Sequence, residues 1–104
     1  MLVTNQKYNV NTVVALKLVN GDEVVAKIIE ETDSAYLIDT PMLVVPSQQG
    51  LGLIQSLFSA DQGSKVTLSK QHVMMTAPVI DQMRDHYSKT TTGLETVRKP
   101  GIII

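Results

Sequence analysis

Few groups in this chain are placed to do chemistry. Glu30, Glu31 and Asp33 stand close together, as a cation site or a pair of carboxylates in acid–base work would require. That work also needs a nucleophile or a helix-spaced His beside the carboxylates. None is near in sequence, so the segment reads as a polar turn. His72 and His86 are the only histidines, too few and too separated for a metal-ligand cluster. Lys70-Gln71-His72 is a short basic turn, and Arg98-Lys99 is a basic pair that would contact phosphate or simply be solvated. Met74-Met75 would place one side chain inside and one outside a strand, with core packing the expectation. There is no Cys, which excludes disulfides, thiolate metal sites and cysteine catalysis. The expectation is a protein that binds and assembles, with no enzymatic activity, metal or cofactor.

The elements that would position these residues are mostly strands. At 104 residues the chain is large enough for one modest core and too short for two. Val, Ile and Thr make up about a third of it, the branched residues that favour a pleated surface. Charged residues account for 18% and apolar ones for 43%. The first figure is below the roughly 25% of an ordinary soluble domain, a deficit that partner contacts on the surface would explain. A net charge of −1 removes the simplest argument for nucleic acid, a large excess of Lys and Arg, so any basic patch must be local. The longest apolar runs, such as Met42 to Val45 and Ile102 to Ile104, fall far short of the roughly 20 residues that cross a bilayer. The N-terminus lacks a charged region followed by an apolar one. A cytoplasmic protein without membrane contact is expected.

Val13 to Leu18 and Val24 to Ile29 are two β-rich runs meeting at Asn20-Gly21, a hairpin signal. A three-residue Val19-Asn20-Gly21 loop with Gly21 left-handed gathers Val14, Leu16 and Leu18 with Val24, Ala26 and Ile28, and is preferred to a two-residue loop that would set Leu16 and Leu18 beside Glu23. Ala35 to Asp39 restarts as a third strand. Pro41 and Pro46 bracket Met42 to Val45 as an edge or an interrupted extension. Ser47 to Gly50 is a turn. Leu51 to Ser59 fits strand or helix, with its glycines favouring strand, and Asp61 to Ser64 is another turn. Lys65 to Ser69 and Val73 to Thr76 are short strands on either side of Lys70-Gln71-His72. After Ala77-Pro78 the period lengthens, with Val79, Ile80, Met83 and Tyr87 on one stripe. This pattern predicts a helix of about three turns with Pro78 in its first turn and Thr76 or Ala77 as cap. From Thr90 onward the chain reads as a tail.

This order resembles the Sm-like fold, and its bacterial branch, Hfq, is the nearer comparison. Leu18-Val19-Asn20-Gly21 looks like the end of the first strand of the Sm1 motif. Ala26 and Ile28 fall on its usual Gly and aliphatic positions, and Leu37-Ile38-Asp39-Thr40 follows at matching spacing. Lys70-Gln71-His72-Val73-Met74-Met75-Thr76 resembles the Lys-His step and last strand of the Sm2 motif, with one residue extra. In general build the chain most resembles small Sm-like proteins associated with marine cyanophages. It departs from the family at Ala26, at Thr32, where an Asp is usual, in the long Pro41 to Ser64 insertion, and in placing its helix after the strands.

The resemblance implies a strongly bent, five-stranded antiparallel barrel or sheet with an extended hairpin insertion between strands three and four. That Sm-like domain with its C-terminal helix would span 1–92, and 93–104 would be a tail. It also implies a ring of roughly five to seven copies, in which strand four of one subunit pairs with strand five of the next. Lys70, Gln71 and His72 would line the pore and meet single-stranded RNA or another nucleic acid, with Ser34 and Tyr36 in the second loop near it. Tyr36 would then offer a face to a base, or else be a half-buried strand residue. The alternative function is a structural assembly module, such as one of a phage particle, that keeps the ring without the ligand.

Overall fold

The computed structural model describes residues 7–57, 59 and 65–97. They form six antiparallel strands followed by one helix: β1 (Val13–Leu18), β2 (Glu23–Glu31), β3 (Ala35–Ser47), β4 (Gly50–Gln55), β5 (Lys65–Ser69), β6 (Val73–Pro78) and α1 (Asp81–Val97). A single 3-10 turn, Lys70–His72, joins β5 to β6.

The first hairpin adopts the register that alternation favours. Leu16 faces Val24 and Val14 faces Ala26, and Gly21 has φ +98°, a backbone conformation with little steric cost only for glycine. The Gly21 N–H donates to the Leu18 carbonyl, and the Leu18 N–H to the Asp22 carbonyl, closing the three-residue loop. Val14, Leu16, Val24, Ala26 and Ile28 therefore lie on one face and form the main core with Tyr36 and Ile38, with Leu18, Leu43, Val66, Leu68 and Val73 packed around them. Each large side chain fully buried there contributes about 1.5–3 kcal/mol.

β3 runs unbroken through both prolines. Between Val25↔Met42 and Lys27↔Asp39, the single residue Ala26 faces both Thr40 and Pro41. This bulge puts Thr40 at φ 47°, a strained position for a β-branched residue, and accommodates a proline that has no N–H to give. Pro46 lies opposite Leu51, past Leu43, the last β3 residue paired with β2.

β4 and β5 both pair with β3, β4 along Met42–Ser47 and β5 along Ala35–Asp39. Since β2 occupies the other side of β3, the two strands lie end to end on one line. The sheet thus has five strand positions, in the order β6, β1, β2, β3 and then the β4–β5 line. The sequence reading of five strands becomes six because the insertion extends β3 and adds β4 as a further partner for it. The expected turn at Asp61 to Ser64 lies outside the described residues.

The helix differs from expectation at both ends. Pro78 closes β6 opposite Val14, and the Val79 N–H still bonds the Val13 carbonyl. Neither Thr76 nor Ala77 is a cap. The Ile80 carbonyl accepts the first helical bond from Arg84, and the Arg84 guanidinium meets Asp81 at 2.6 Å. Ile80, expected on the buried stripe, is 69% exposed. The helix runs through Thr90, where the residue pattern reads as a tail, and reaches Val97, five residues past the expected domain bound at 92. Thr91 Oγ1 bonds back to the Tyr87 carbonyl at 2.9 Å, which suits a Thr within a helix. Tyr87, Val79 and Met83 pack with Val13, Val25, Met42, Val44 and Leu53 in a second core. The Tyr87 hydroxyl donates to the Asp39 and Thr40 carbonyls at 2.8 and 3.0 Å, fastening α1 to the strained bulge. Burial pushes the Tyr87 phenol far above its ordinary pKa. Among the described residues no helix is long and apolar enough to cross a membrane.

Candidate functional site

The 3-10 turn is held from both sides. Ser69 Oγ accepts from the Gln71 N–H, the Val73 N–H bonds the Lys70 carbonyl, and the His72 carbonyl accepts from Val19 in the first hairpin loop. A second turn lies against it. Thr32 Oγ1 accepts from the Ser34 and Ala35 N–H groups, and the Ser34 carbonyl accepts from the Lys70 N–H at 2.9 Å. The Lys70–His72 turn and the turn that leads into Tyr36 at the start of β3 are therefore in contact.

Their side chains take different roles. Lys70 Nζ lies 2.7 Å from Glu31 Oε2 and 5.0 Å from the centroid of the Tyr36 ring, within range of a cation–π contact. Tyr36 is a core residue of β3, 6% exposed, with Tyr8 tilted against it at 6.5 Å. Of the two roles considered for Tyr36, burial in a strand is the one the packing gives it. Burial and the nearby Glu31 charge raise its phenol above the ordinary value. Gln71, His72 and Ser34 are exposed, so the polar side chains open to a ligand are those beside the cation.

Glu31 is the residue that sequence reasoning missed, since it looked like one more acid in a polar turn. It ends β2 opposite Tyr36, its carboxylate is nearly covered, and it accepts from Lys70 and from the Tyr8 N–H at 2.8 Å. Burial pushes this carboxyl up. Hydrogen bonds from Lys70 and the Tyr8 N–H, together with the charges of Lys70 and Lys7, outweigh that effect and hold it below the ordinary carboxylate value. The only forward signal was the opposite charge of Lys70, 39 positions away. Tyr8 also shares a hydrogen bond with Thr76 of β6 at 3.2 Å, so the N-terminal segment ties this corner together.

No family model and no curated protein matches the chain. Its chemistry has to be read from the geometry. Among the described residues no group of three or more His, Asp or Glu is arranged to hold a metal ion. Arg98 and Lys99 lie outside the described residues. What the corner offers is one neutralised ion pair, an exposed amide and an exposed imidazole, set on a turn between two strands.

Those strands are each paired on one side. Among the described residues β5 pairs with β3 alone and β6 with β1 alone. Among the described residues neither has a second strand beside it, and the Lys70–His72 turn stands between them.

Proposed function

We propose that this chain is a non-catalytic, Sm-like module that closes into a homo-oligomeric ring of roughly five to seven copies and holds single-stranded RNA at the turns around its pore. One observation carries the reading: the two singly paired strands, β5 and β6, are joined directly by the Lys70–His72 turn. Pairing β5 of one copy with β6 of the next uses up both open edges, which would otherwise invite uncontrolled association. It also repeats the turn at every seam. Gln71 and His72 then hydrogen-bond to or stack on bases. Lys70, already paired with Glu31, orders the loop and adds little net charge.

A second reading is favoured by that same ion pair. With the cation neutralised and Tyr36 buried, the ring serves as an assembly module with no nucleic acid bound. Sedimentation of the purified chain combined with a salt titration of RNA binding separates the two. The first reading expects an oligomer that binds RNA at low salt, with Gln71→Ala and His72→Ala variants weakened. An oligomer that binds none, or variants that bind as the parent does, replaces it with the second. A dilute monomer at every concentration removes both. Met74→Pro deletes a ladder donor in β6 and is expected to dissociate the ring.

A further inference from the structure

Of the four asparagines in the chain, Asn20 alone is followed by glycine. In that dipeptide the backbone nitrogen of the glycine can attack the side-chain carboxamide, because no Cβ crowds its approach. A bond forms between the Gly21 nitrogen and Asn20 Cγ, the Cγ–Nδ2 bond breaks, and ammonia leaves with the proton that the Gly21 nitrogen gives up. The five-membered succinimide then takes up water and opens at either carbonyl, to aspartate or to isoaspartate. Water is the only co-reactant. Both residues are exposed to it, so access does not limit the reaction.

Geometry does. The carboxamide must swing over the Gly21 nitrogen, and that nitrogen must lose its proton. In the closed hairpin loop the Gly21 N–H donates to the Leu18 carbonyl at 2.9 Å, so its proton is held and its position fixed. The carboxamide is engaged by the residue beyond. Asn20 Oδ1 accepts from the Asp22 N–H at 3.0 Å, and Nδ2 donates to Asp22 Oδ2 at 3.2 Å. The Leu18 N–H donates to the Asp22 carbonyl at 2.8 Å, which keeps Asp22 where both of those bonds need it. The same loop supports the candidate site, since the Val19 N–H donates to the His72 carbonyl at 2.9 Å.

We propose that Asn20 is a latent deamidation site, shielded while the loop is closed with the Asp22 carboxylate as its latch, and that conversion to isoaspartate releases the Val19 N–H from His72. Reaction proceeds from the opened loop, so its rate is the intrinsic rate scaled by the fraction open. Isoaspartate carries the backbone through the former side chain and adds one methylene between residues 20 and 21. That lengthens the three-residue loop which the Gly21–Leu18 bond closes. The free carboxylate of the product also stands beside that of Asp22, so repulsion between like charges replaces a hydrogen bond.

The test follows the full chain at one mildly alkaline pH, folded and in urea beyond its unfolding transition, with the Asn20 peptide assayed by mass spectrometry. Asp22→Ala goes through the same two incubations, with far-ultraviolet circular dichroism to compare its fold with the parent's. Conversion is expected to be at least about tenfold slower in the folded parent than in urea. The folded Asp22→Ala variant should fall between these rates, while the two proteins react alike in urea. Hydrogen exchange at the Val19 amide should be faster in the converted protein than in the parent. Equal rates for the parent folded and unfolded, or a folded Asp22→Ala that converts no faster than the parent, overturn the shield and its latch. Unchanged exchange at Val19 after conversion overturns the link to His72.

Discussion

The corner around Glu31 and Lys70 and the arm formed by β3 and β4 solve opposite problems. At the corner, the carboxylate, the ammonium and the Tyr8 N–H find partners within the chain, across long sequence separations. On the arm, Leu51 and Ile54 stand exposed in a stretch that carries no charge. The difference shows what the fold must complete and what it can leave unfinished. Polar groups removed from water must be answered inside the fold, whereas apolar surface can stay exposed at a smaller cost.

That contrast can be broken or sharpened by substitution. Glu31→Ala leaves Lys70 and the Tyr8 N–H without their acceptor, and is expected to lower stability by about 2–3 kcal/mol in denaturant unfolding. The loss stays below that of a fully enclosed pair because Lys70, 28% exposed, can turn toward water. Adding Lys70→Met to Glu31→Gln should restore roughly half of what the single change loses. Gly21→Val, in the loop that joins β1 to β2, should cost more than about 1 kcal/mol through backbone strain alone, since a Cβ there meets nothing within 4 Å. Gly50→Val at the arm tip, where φ is +117°, should cost less in global unfolding because the tip can open locally.

The pH dependence of the corner has a definite sign. The folded Glu31 carboxyl sits below its ordinary value of 4.5. Its stabilising contribution is present above that value and is lost as pH falls through the lower, folded one. The stability difference between the parent and Glu31→Gln should therefore shrink as pH is lowered from 7 through the acid range. A difference that stays constant or grows would mean that the charge on Glu31 is not what holds the turn. The smallest effect is expected on the arm. Leu51→Gln and Ile54→Gln should change the unfolding free energy of one copy by no more than about 0.5 kcal/mol. A loss as large as that at Glu31 would show that the arm is part of the protomer's own core.

The first hairpin was legible because two local signals agreed. Asn20-Gly21 supplied the turn, and the alternation of Val14, Leu16, Val24 and Ala26 fixed its register. Lys65 to His72 was legible for the same reason. The run of β3 through Pro41 and Pro46 was legible as an extension but read as interrupted, because a proline reads as a break unless a bulge or a missing neighbour removes the need for its N–H. The start of α1 was misplaced since Pro78 satisfies the first turn of a helix and the end of an edge strand equally well. Its far end was misplaced because three consecutive Thr suggest a tail until Thr91 finds the Tyr87 carbonyl. Lys70–His72 and the segment just before Ala35 were read as turns from sequence. Glu31, which organises them, was missed, since nothing local marks an acid whose partner lies on a distant turn.

The position of β1 has a consequence for how the molecule is made. Of the described strands β1 comes first in the chain, yet it lies between β2 and β6, the last of them. Tyr8, earlier still, bonds to Thr76, 68 positions later. While the ribosome is adding β2 through β5, β1 can pair on one side only, and its other edge stays open. Sheet completion must wait until Pro78 has emerged, and long-range closures of this kind are slow to form. During that interval the nascent chain, with the uncharged arm already extruded, is at its most vulnerable to sticking to another copy of itself.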